Sequence, residues 1–322
     1  MSPPRVLILQ PIHKAGTDAL AEAGIEFVNA PDARRETLLA LIGEADGLIV
    51  RTTGYRIDAE VMDRAPRLRV IGRHGVGVDH IDVRAAHDRG IVVVNTPEAN
   101  SQGVAEYTVG LMLSLRRRLI DADRAVRTGK WTQRERLVGG ELFGHTLGII
   151  GLGRIGSRVG RIAKAGFQMR VLYFDIVRKH EEERALGVEF ASFDEVVSQA
   201  DILTLHTPLT PLTRNMMNAR TIARMKPGAC LVNASRGEVV EFDALVAALR
   251  SGQVSGAGLD VFPEEPPDAA HPILSLPNVV VSPHMASHSG ESMVRMSLVA
   301  EDVVRVLSGK QPRNPVAPEA AA

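Results

Sequence analysis

Residues 146–175 read TLGIIGLGRIGSRVGRIAKAGFQMRVLYFD, and this stretch determines how the chain is organised. An apolar run, Leu147 to Ile150, leads into a G-x-G-x-x-G pattern made by Gly151, Gly153 and Gly156. A helix-like segment and a second apolar run follow, and Asp175 ends that run 19 residues after Gly156. A strand, a glycine-rich turn, a helix and an acid in this order form the dinucleotide-binding arrangement.

Each glycine of the pattern has a separate physical reason. Gly151 allows the tight turn from strand to helix, Gly153 lets the backbone approach a pyrophosphate, and Gly156 lets helix and strand pack closely. The free N–H groups and the dipole at the helix start then bind the pyrophosphate. The alternative is a glycine-rich turn that binds nothing, but the acid at this offset would then be a coincidence.

Asp175 also indicates which dinucleotide binds. A carboxylate here accepts hydrogen bonds from both ribose hydroxyls of NAD, whereas the 2′-phosphate of NADP would face it. At about 4 Å and an effective dielectric constant near 20, the repulsion is roughly 4 kcal/mol per charge pair. The sequence therefore predicts NAD. Arg178 and Lys179 are near enough to weaken this preference, unless they belong to a solvated helix start with Glu181 to Glu183.

The composition excludes several classes of protein. Lys and Arg total 38, as do Asp and Glu, and no basic run with interleaved aromatic residues occurs, so we expect no nucleic-acid partner. The single cysteine, Cys230, excludes a disulfide framework and a cysteine-based zinc site, and we expect no bound metal. No charged N-terminal region precedes a long apolar segment, which predicts a soluble cytoplasmic protein without a membrane partner.

Short apolar runs alternate with amphipathic segments from the start, as is typical of a parallel sheet covered on both faces. The first strand candidates are Val6 to Leu9, Phe27 to Val28, Leu48 to Val50, Val70 to Ile71 and Val92 to Val94. The helix-like segments between them are Ala15 to Glu22, Glu36 to Ile42, Ala59 to Arg64 and Val83 to Asp88. Residues 1–98 are therefore predicted to form a separate α/β domain.

A long helix is predicted next, from about Ser101 to Arg127. Its stretch from Val104 to Leu115 is apolar on more than one face, so it lies either between domains or in a subunit interface, which we favour. From Thr146 onward the alternation resumes with six strand candidates: Leu147 to Ile150, Val171 to Phe174, Ile202 to Leu205, Ala229 to Asn233, Gly256 to Val261 and Val279 to Ser282. A final helix is predicted from about Glu291 to Leu307, and the sequence thus indicates two doubly wound parallel-sheet domains.

Ligands of open α/β sheets bind outside the carboxyl ends of the strands, so the residues just past each strand predict the site. After the third to sixth strands of the second domain come His206-Thr207-Pro208, Ser235-Arg236-Gly237, Phe262 to Pro266 and His284. An arginine, a glutamate and a histidine thus converge beside the glycine turn.

This trio suits hydride transfer between a nicotinamide and an alcohol carbon. His284 would give or take the hydroxyl proton, because imidazole changes charge near neutral pH. Glu265 would bond the far ring nitrogen, fix the tautomer and favour the imidazolium. Arg236 would hold the substrate carboxylate by two bonds and polarise the adjacent carbonyl. Each residue alone also fits a structural role, and their convergence is what favours catalysis.

The chain resembles the D-isomer-specific 2-hydroxyacid dehydrogenases, most of all the members that act on 3-phosphoglycerate, without their regulatory extension. The resemblance covers nearly the whole chain. It rests on Gly72 to Asp79, Asn95 to Pro97 with Asn100 and Ala105-Glu106, Gly129 to Trp131, Leu147 to Gly156, His206 to Thr210, Asn233 to Gly237, Leu259 to Phe262 through Glu265-Pro266, and Pro283-His284.

The resemblance implies a flavodoxin-like substrate-binding domain, residues 1–98 plus 289–322, and a Rossmann NAD-binding domain, residues 99–288. It implies a cleft between the two domains, hinges near residues 97–100 and 287–291, and a homodimer built through the long helix. It also implies the same catalytic trio as the strand-end argument, Arg236, Glu265 and His284.

The family's remaining site residues map onto this sequence one by one. Cofactor contacts map to Arg154, Ile155, Asp175, Thr207, Pro208, Ala234 and Asp260, to which we add the strand-end residues His206, Ser235, Arg236 and His284. The N–H groups of Val76 and Gly77 would hold the substrate carboxylate, and we add Asn100 and Arg236 as substrate contacts. Resemblance to phosphoglycerate enzymes suggests that Arg51 and Arg73 meet a phosphate, unless one is an ordinary surface arginine.

One residue departs from the family pattern. Small residues usually follow the catalytic histidine, whereas here His288 comes four positions later, and its imidazole would alter the substrate if it reaches the cleft. The substrate is therefore predicted as 3-phosphoglycerate, with hydroxypyruvate or glyoxylate as the alternative. An NAD-sensing interaction protein similar to the family's corepressors is the alternative of another class. An L-specific dehydrogenase is disfavoured, because its glycine motif typically lies near the N-terminus.

Overall fold

The computed structural model of the chain describes residues 3–51 and 54–318. It consists of two compact units. Unit 1 comprises the residues up to Asn100 together with those from His288 onward, and unit 2 comprises Ser101–Ser287. Each unit is an α/β structure around a parallel sheet, which confirms the predicted fold class.

The strands of the described residues run, in chain order, as β1 (Arg5–Ile8), β2 (Glu26–Asn29), β3 (Gly47–Val50), β4 (Val70–Arg73), β5 (Val92–Val94), β6 (Thr146–Ile150), β7 (Arg170–Phe174), β8 (Glu189–Phe190), β9 (Ile202–Leu205), β10 (Ala229–Asn233), β11 (Val254–Leu259) and β12 (Val279–Val281).

The α-helices run as α1 (Lys14–Glu22), α2 (Arg35–Leu41), α3 (Ala59–Asp63), α4 (Val83–Asp88), α5 (Ser101–Arg116), α6 (Leu119–Arg127), α7 (Arg154–Phe167), α8 (His180–Leu186), α9 (Phe193–Gln199), α10 (Ala219–Ile222), α11 (Phe242–Ser251), α12 (Gly290–Ser297) and α13 (Val299–Leu307). Short 3-10 helices lie at Ile42–Glu44, Trp131–Arg136, Gly237–Val239 and Pro272–Ser275.

Unit 1 is built on a five-stranded sheet with the order β2-β1-β3-β4-β5, in which every neighbouring pair is parallel. This is the flavodoxin-like order that the resemblance implied. The C-terminal helix α13 completes the unit, because its buried Val299, Val303 and Leu307 pack with Val6 of β1 and Val70 of β4 in one apolar cluster. Unit 1 is therefore discontinuous in sequence, and its core needs both ends of the chain.

Unit 2 is built on a seven-stranded parallel sheet with the order β12-β11-β10-β9-β6-β7-β8. The chain turns to opposite sides of β6, so the strand order reverses between β6 and β9. Such a switch point is where ligands bind in doubly wound sheets. The sequence predicts six strands here, and the seventh is the edge strand β8, whose two residues are too few to produce a periodic signal.

Two predicted helices are each divided in the structure. The first ends at Arg116, and Arg118 takes a left-handed backbone (φ 51°) before α6 begins at Leu119. The second is interrupted at Leu298, which ends α12 and precedes α13. Neither break contains a glycine or a proline, so the sequence gives no sign of either.

Helix α5 packs inside its own unit. Its buried Ala105, Leu111 and Met112 belong to the same apolar cluster as Leu147 and Ile149 of β6. The apolar character of this helix is therefore explained by packing within unit 2, and it no longer points to a subunit interface. Among the described residues, no helix is long and apolar enough to cross a membrane.

Candidate active site

The carboxyl ends of the unit 2 strands carry most of the residues predicted to act. Because the strands are parallel, these ends meet at one edge of the sheet. That edge carries Gly151 after β6, Asp175 after β7, His206 after β9, Ser235 and Arg236 after β10, Asp260 after β11, and His284 after β12.

The glycine turn after β6 is built for close approach. Gly151 has a φ of 93°, and a Cβ added there would lie 2.6 Å from the carbonyl oxygen of His206. A Cβ at Gly156 would lie 2.2 Å from the carbonyl oxygen of Gly151. In contrast, a Cβ at Gly153 would meet nothing within 4 Å. The turn is thus closed on the protein side and open at Gly153, where a pyrophosphate would approach.

Helix α7 begins at this turn, and no side chain caps its first N–H groups. Asp175 stands next to it, since one carboxylate oxygen accepts from the N–H of Leu152 at 2.9 Å. The other oxygen accepts from the N–H of Val177 at 3.1 Å. These bonds fix the carboxylate at the turn, in the place from which it would accept the ribose hydroxyls of NAD.

His206 and Thr207 leave polar atoms buried without partners. Among the described residues, neither ring nitrogen of His206 nor Oγ1 of Thr207 has a hydrogen-bond partner, although all three atoms are shielded from solvent. Burial lowers the pKa of His206 to about 4, so its ring is neutral at physiological pH. Unpaired buried polar groups cost free energy, and a ligand that supplies partners would remove that cost. The residues at this edge therefore fit a bound dinucleotide.

The turn that carries Arg236 is shaped by Asn233, for which the sequence pattern predicts no role. The buried side-chain oxygen of Asn233 accepts from the N–H and the hydroxyl of Ser235, and its amide donates to the Arg236 carbonyl at 2.8 Å. A Cβ at Gly237 would lie 1.9 Å from the carbonyl carbon of Phe262. The Arg236 turn thus packs directly on the loop that carries Glu265.

His284 and Glu265 form a close pair, as predicted from the sequence. His284 Nδ1 lies 2.6 Å from Glu265 Oε2, and the other carboxylate oxygen accepts from the N–H of Phe262 at 3.1 Å. Burial acts to raise the pKa of Glu265, but the hydrogen bond and charge of His284 outweigh it, so the pKa is lowered from its usual value. The carboxylate is ionised and accepts from Nδ1–H, which leaves Nε2 of His284 for chemistry.

The backbone of His284 is held in a conformation that side chains rarely adopt. Its φ is 49°, in the left-handed region, and its N–H donates to the carbonyl of Asp260 at 2.7 Å. The Asp260 carboxylate is buried and accepts from Ser282 Oγ, Met285 N and Ala286 N at 2.6, 2.9 and 2.8 Å. These bonds position the turn of His284, and a cofactor contact of Asp260 stays a prediction from the sequence.

Apart from Arg236, the predicted substrate residues lie in unit 1, where Arg51 follows β3 and Arg73 ends β4. Arg51 Nη2 lies 2.7 Å from His288 Nε2, and Nη1 donates to the Pro11 carbonyl at 3.3 Å. Among residues 3–51 and 54–318, no carboxylate lies within ion-pair distance of Arg51. Burial lowers the pKa of this guanidinium, which nevertheless stays charged.

Arg73 has a different environment from Arg51. Its Nε donates to the Gly77 carbonyl at 2.7 Å, and Nη1 donates to the carbonyl of His74. These bonds close the loop from Arg73 to Val78 on itself. The N–H groups of Val76 and Gly77 donate to no acceptor within the described part of the chain, and the buried Oδ1 of Asn100 likewise has no partner there. The loop is therefore shaped by Arg73, with two amides left for a ligand.

With a nicotinamide bound, the carboxyl edge of the unit 2 sheet would combine three chemical functions. A bound nicotinamide would accept or supply the hydride. His284 can hold or release a proton at Nε2 while Glu265 keeps its ring oriented. Arg236 offers a guanidinium, and its charge contributes to lowering the pKa of Glu265. This set suits reversible oxidation of a secondary alcohol that carries a carboxylate.

Comparison with known proteins identifies the family. The model of the "D-isomer specific 2-hydroxyacid dehydrogenase, NAD binding domain" matches residues 109–286. Glyoxylate reductase of Korarchaeum cryptofilum is 40% identical over 97% of this chain and 95% of its own. D-3-phosphoglycerate dehydrogenase of Archaeoglobus fulgidus is 39% identical over 97% of this chain, which spans only 59% of that longer protein.

A solved structure agrees with these sequence matches. The TT0316 protein from Thermus thermophilus superimposes with a TM-score of 0.91 at 40% identity, covering 97% of this chain and 100% of its own. The chain therefore belongs to the D-isomer specific 2-hydroxyacid dehydrogenase family, and its NAD-binding domain lies in unit 2.

Proposed function

We propose that the protein transfers a hydride between NAD(H) and a small D-2-hydroxy acid or its 2-oxo acid. The observation that carries this proposal is the 2.6 Å contact between His284 Nδ1 and Glu265 Oε2 at the sheet edge that also bears Arg236. In the proposed reaction, His284 donates and accepts the proton, and Glu265 orients its ring. Arg236 binds the substrate carboxylate.

For the cofactor, we propose that the turn residues Gly151, Gly153, Arg154, Ile155 and Gly156 bind the pyrophosphate and that Asp175 binds the adenosine ribose. The strand-end residues would surround the remainder: His206, Thr207, Pro208, Ala234, Ser235 and His284. The unpartnered atoms of His206 and Thr207 support this arrangement.

For the substrate, we propose 3-phosphoglycerate, which would place the reaction in serine biosynthesis. Support comes from Arg51, a guanidinium with no carboxylate partner among the described residues. Because a guanidinium only donates, Nε2 of His288 is the acceptor in its contact with Arg51. His288 thus orients Arg51 without neutralising it, which leaves the positive charge for an anion such as a phosphate.

Arg73 has a supporting role in this proposal. His74 beside it is buried, and burial together with the charges of Arg51 and Arg73 lowers the pKa of His74 to about 3. The positive charge of this region therefore resides on the two arginines. We propose that Arg73 acts through the loop it closes, with Val76, Gly77 and Asn100 contacting the substrate and Arg51 contacting its phosphate.

The test compares substrates in the wild-type protein and in Arg51→Ala. We expect a higher kcat/KM for 3-phosphoglycerate oxidation than for hydroxypyruvate reduction. In Arg51→Ala we expect a loss of about a hundredfold on phosphoglycerate, or about 2.7 kcal/mol, and a few-fold loss on hydroxypyruvate. NAD-linked absorbance measures both rates, and Arg64→Ala, an exposed arginine of the same unit, is the matched control.

Other outcomes identify the alternatives. A preference for hydroxypyruvate or glyoxylate, with Arg51→Ala equally damaging to every substrate, would assign Arg51 to the substrate carboxylate and make the protein a reductase. The name of the Korarchaeum cryptofilum relative is the reason to test that case. Tight NADH binding without turnover on any 2-oxo acid would contradict the proposal that the protein is a dehydrogenase. It would favour the alternative, an NAD-sensing interaction protein.

We also propose that the protein is a homodimer, through the segment from Leu119 to Phe143 rather than through α5. This segment exposes six large apolar side chains: Leu119, Ile120, Val126, Trp131, Val138 and Phe143, each between 48% and 79% exposed. Large apolar side chains exposed together on one segment are typical of an interface. The resemblance to the family also implies a homodimer, built through the NAD-binding domain.

Light scattering after size exclusion tests the dimer. We expect the wild-type mass to be twice the 34.7 kDa of one chain, and Ile120→Glu with Trp131→Glu to give the monomer mass, because the charges would be buried in the interface. Leu212→Glu is the control, since Leu212 is 82% exposed but lies outside the segment. A monomeric wild-type protein, or a double variant that stays dimeric, would contradict the proposal.

A further inference from the structure

An ion pair between Arg178 and Glu183 follows Asp175 closely in the sequence. The guanidinium of Arg178 donates from Nε to Glu183 Oε1 at 2.9 Å and from Nη2 to Glu183 Oε2 at 3.0 Å. The same guanidinium lies over the ring of Phe190, 5.2 Å from its centroid. Arg178 is therefore held from two sides, by a bidentate carboxylate and by an aromatic face.

Glu183 is itself held in place by the strand that leads to the cofactor site. The hydroxyl of Tyr173, a fully buried residue of β7, donates to Glu183 Oε1 at 2.6 Å. That hydroxyl oxygen accepts from the N–H of Lys179 at 2.8 Å. One network thus connects β7, the loop that contains Asp175 and Arg178, and helix α8.

The network has one protonation state over the physiological range. The hydrogen bonds of Arg178 and Tyr173 lower the pKa of Glu183 to about 2. Burial and the bond to Glu183 raise the pKa of Tyr173 to about 12. Over this range the carboxylate is ionised and the phenol is neutral, so the charge of Arg178 stays compensated.

This compensation matters because of where Arg178 lies. It follows Asp175 by three residues, and the N–H of the intervening Val177 bonds the Asp175 carboxylate. An arginine in this loop is the usual means by which a dinucleotide site accommodates the 2′-phosphate of NADP. The side chain of Arg178 is 51% exposed. The ion pair with Glu183, rather than burial, therefore restrains this side chain.

We infer that Glu183 is a specificity-determining residue for NAD over NADP, because it withholds the Arg178 guanidinium from a 2′-phosphate. Asp175 repels that phosphate directly, and Glu183 prevents Arg178 from offsetting the repulsion. The inference rests on the family's NAD site alone, so it holds or fails independently of which 2-hydroxy acid is the substrate.

The experiment measures binding without turnover. Dissociation constants for NADH and NADPH are determined by nicotinamide fluorescence on substrate-free protein, for wild type, Glu183→Gln, Glu183→Ala and Glu183→Ala with Arg178→Ala. We expect both single variants to bind NADPH about tenfold more tightly than wild type, with NADH changed less than about threefold. The double variant should lose the gain, since it lacks the arginine.

A matched control and a folding check accompany these variants. Glu181→Gln removes an exposed carboxylate from the same first turn of α8 and should leave both dissociation constants unchanged. Circular dichroism and the melting temperature report whether each variant is folded. Unchanged NADPH affinity in both single variants, a gain that persists in the double variant, or an equal gain in Glu181→Gln would overturn the inference. So would a loss of NADH binding in folded Glu183→Gln, which would make Glu183 a structural support of the loop.

Discussion

Replacing His284 by alanine is expected to lower kcat by about a thousandfold or more in both directions, equivalent to about 4 kcal/mol of transition-state stabilisation. The reason is that Nε2 of His284 is the proton donor and acceptor that the unit 2 edge offers once Glu265 has engaged Nδ1. The NADH dissociation constant should change less than about threefold. Steady-state rates and fluorescence titration check the two halves of this prediction.

Two variants control the His284 experiment. His180→Ala removes an exposed imidazole from the same unit and should leave kcat unchanged. Glu265→Gln keeps a side chain of the same size without the charge and should cost about ten- to a hundredfold, because the ring loses its orienting carboxylate. If His284→Ala retained a tenth of the wild-type rate, His284 would not be the acid–base residue.

The pH profile separates His284 from His206 of the same unit and from His74 of unit 1. With pKa values of about 4 and about 3, His206 and His74 stay neutral from about pH 5 to about pH 10 and add no transition there. Glu265, whose pKa is lowered, stays ionised over the same range. Reductive kcat/KM should therefore fall as pH rises, as is typical of a reaction in which an imidazole donates the proton. A flat profile would count against histidine as the acid.

The second large effect is expected from Gly156→Ala. The new Cβ would lie 2.2 Å from the Gly151 carbonyl oxygen, a backbone atom that cannot rotate away. The start of α7 must move off the glycine turn, at a cost of about 3 kcal/mol in the free energy of unfolding. Because this movement displaces the N–H groups that face the pyrophosphate, we expect NADH affinity to fall at least about a hundredfold. Fluorescence titration and thermal unfolding measure the two effects.

Gly166→Ala is the matched control for Gly156→Ala. Gly166 lies in the same helix, and a Cβ there would meet nothing within 4 Å. Alanine should stabilise this position by up to about 1 kcal/mol and leave NADH affinity unchanged. Equal NADH affinity in the two variants would show that the contact between Gly156 and Gly151 does not shape the cofactor site.

Much of the site was predictable because its signals are local or follow from topology. The glycine spacing and Asp175 come from one βα unit, and a parallel sheet brings residues that follow different strands to one edge. Arg236, Glu265 and His284 were identified in that way. Asn233 received no role, and Asp260 was expected only as a cofactor contact. Their side chains bond backbone N–H groups of nearby turns, and such bonds depend on turn conformations that the sequence does not encode by any simple pattern.

The fold differed from expectation where the local signal was weak. The strand β8 has two residues, too few to show the alternation of apolar and polar residues by which a strand is recognised. The helix break at Arg118 uses a left-handed backbone at a residue that is not glycine. The division at Leu298 keeps nearly helical dihedral angles on both sides, so hydrophobic periodicity runs through it. These features depend on tertiary packing, which overrides local preference.

The discontinuity of unit 1 has a consequence for biosynthesis. Its sheet is complete once Val94 has been made, yet α13, which covers β1 and β4, is translated only after the whole of unit 2. At about 5–20 residues per second, the ribosome needs roughly ten to forty seconds to make the intervening unit 2. During that interval Val6, Ile8, Ile49 and Val70 lack α13, so this apolar face of the unit 1 sheet has no covering from the C-terminal helix. A circular permutant that begins at the C-terminal helices would remove this interval.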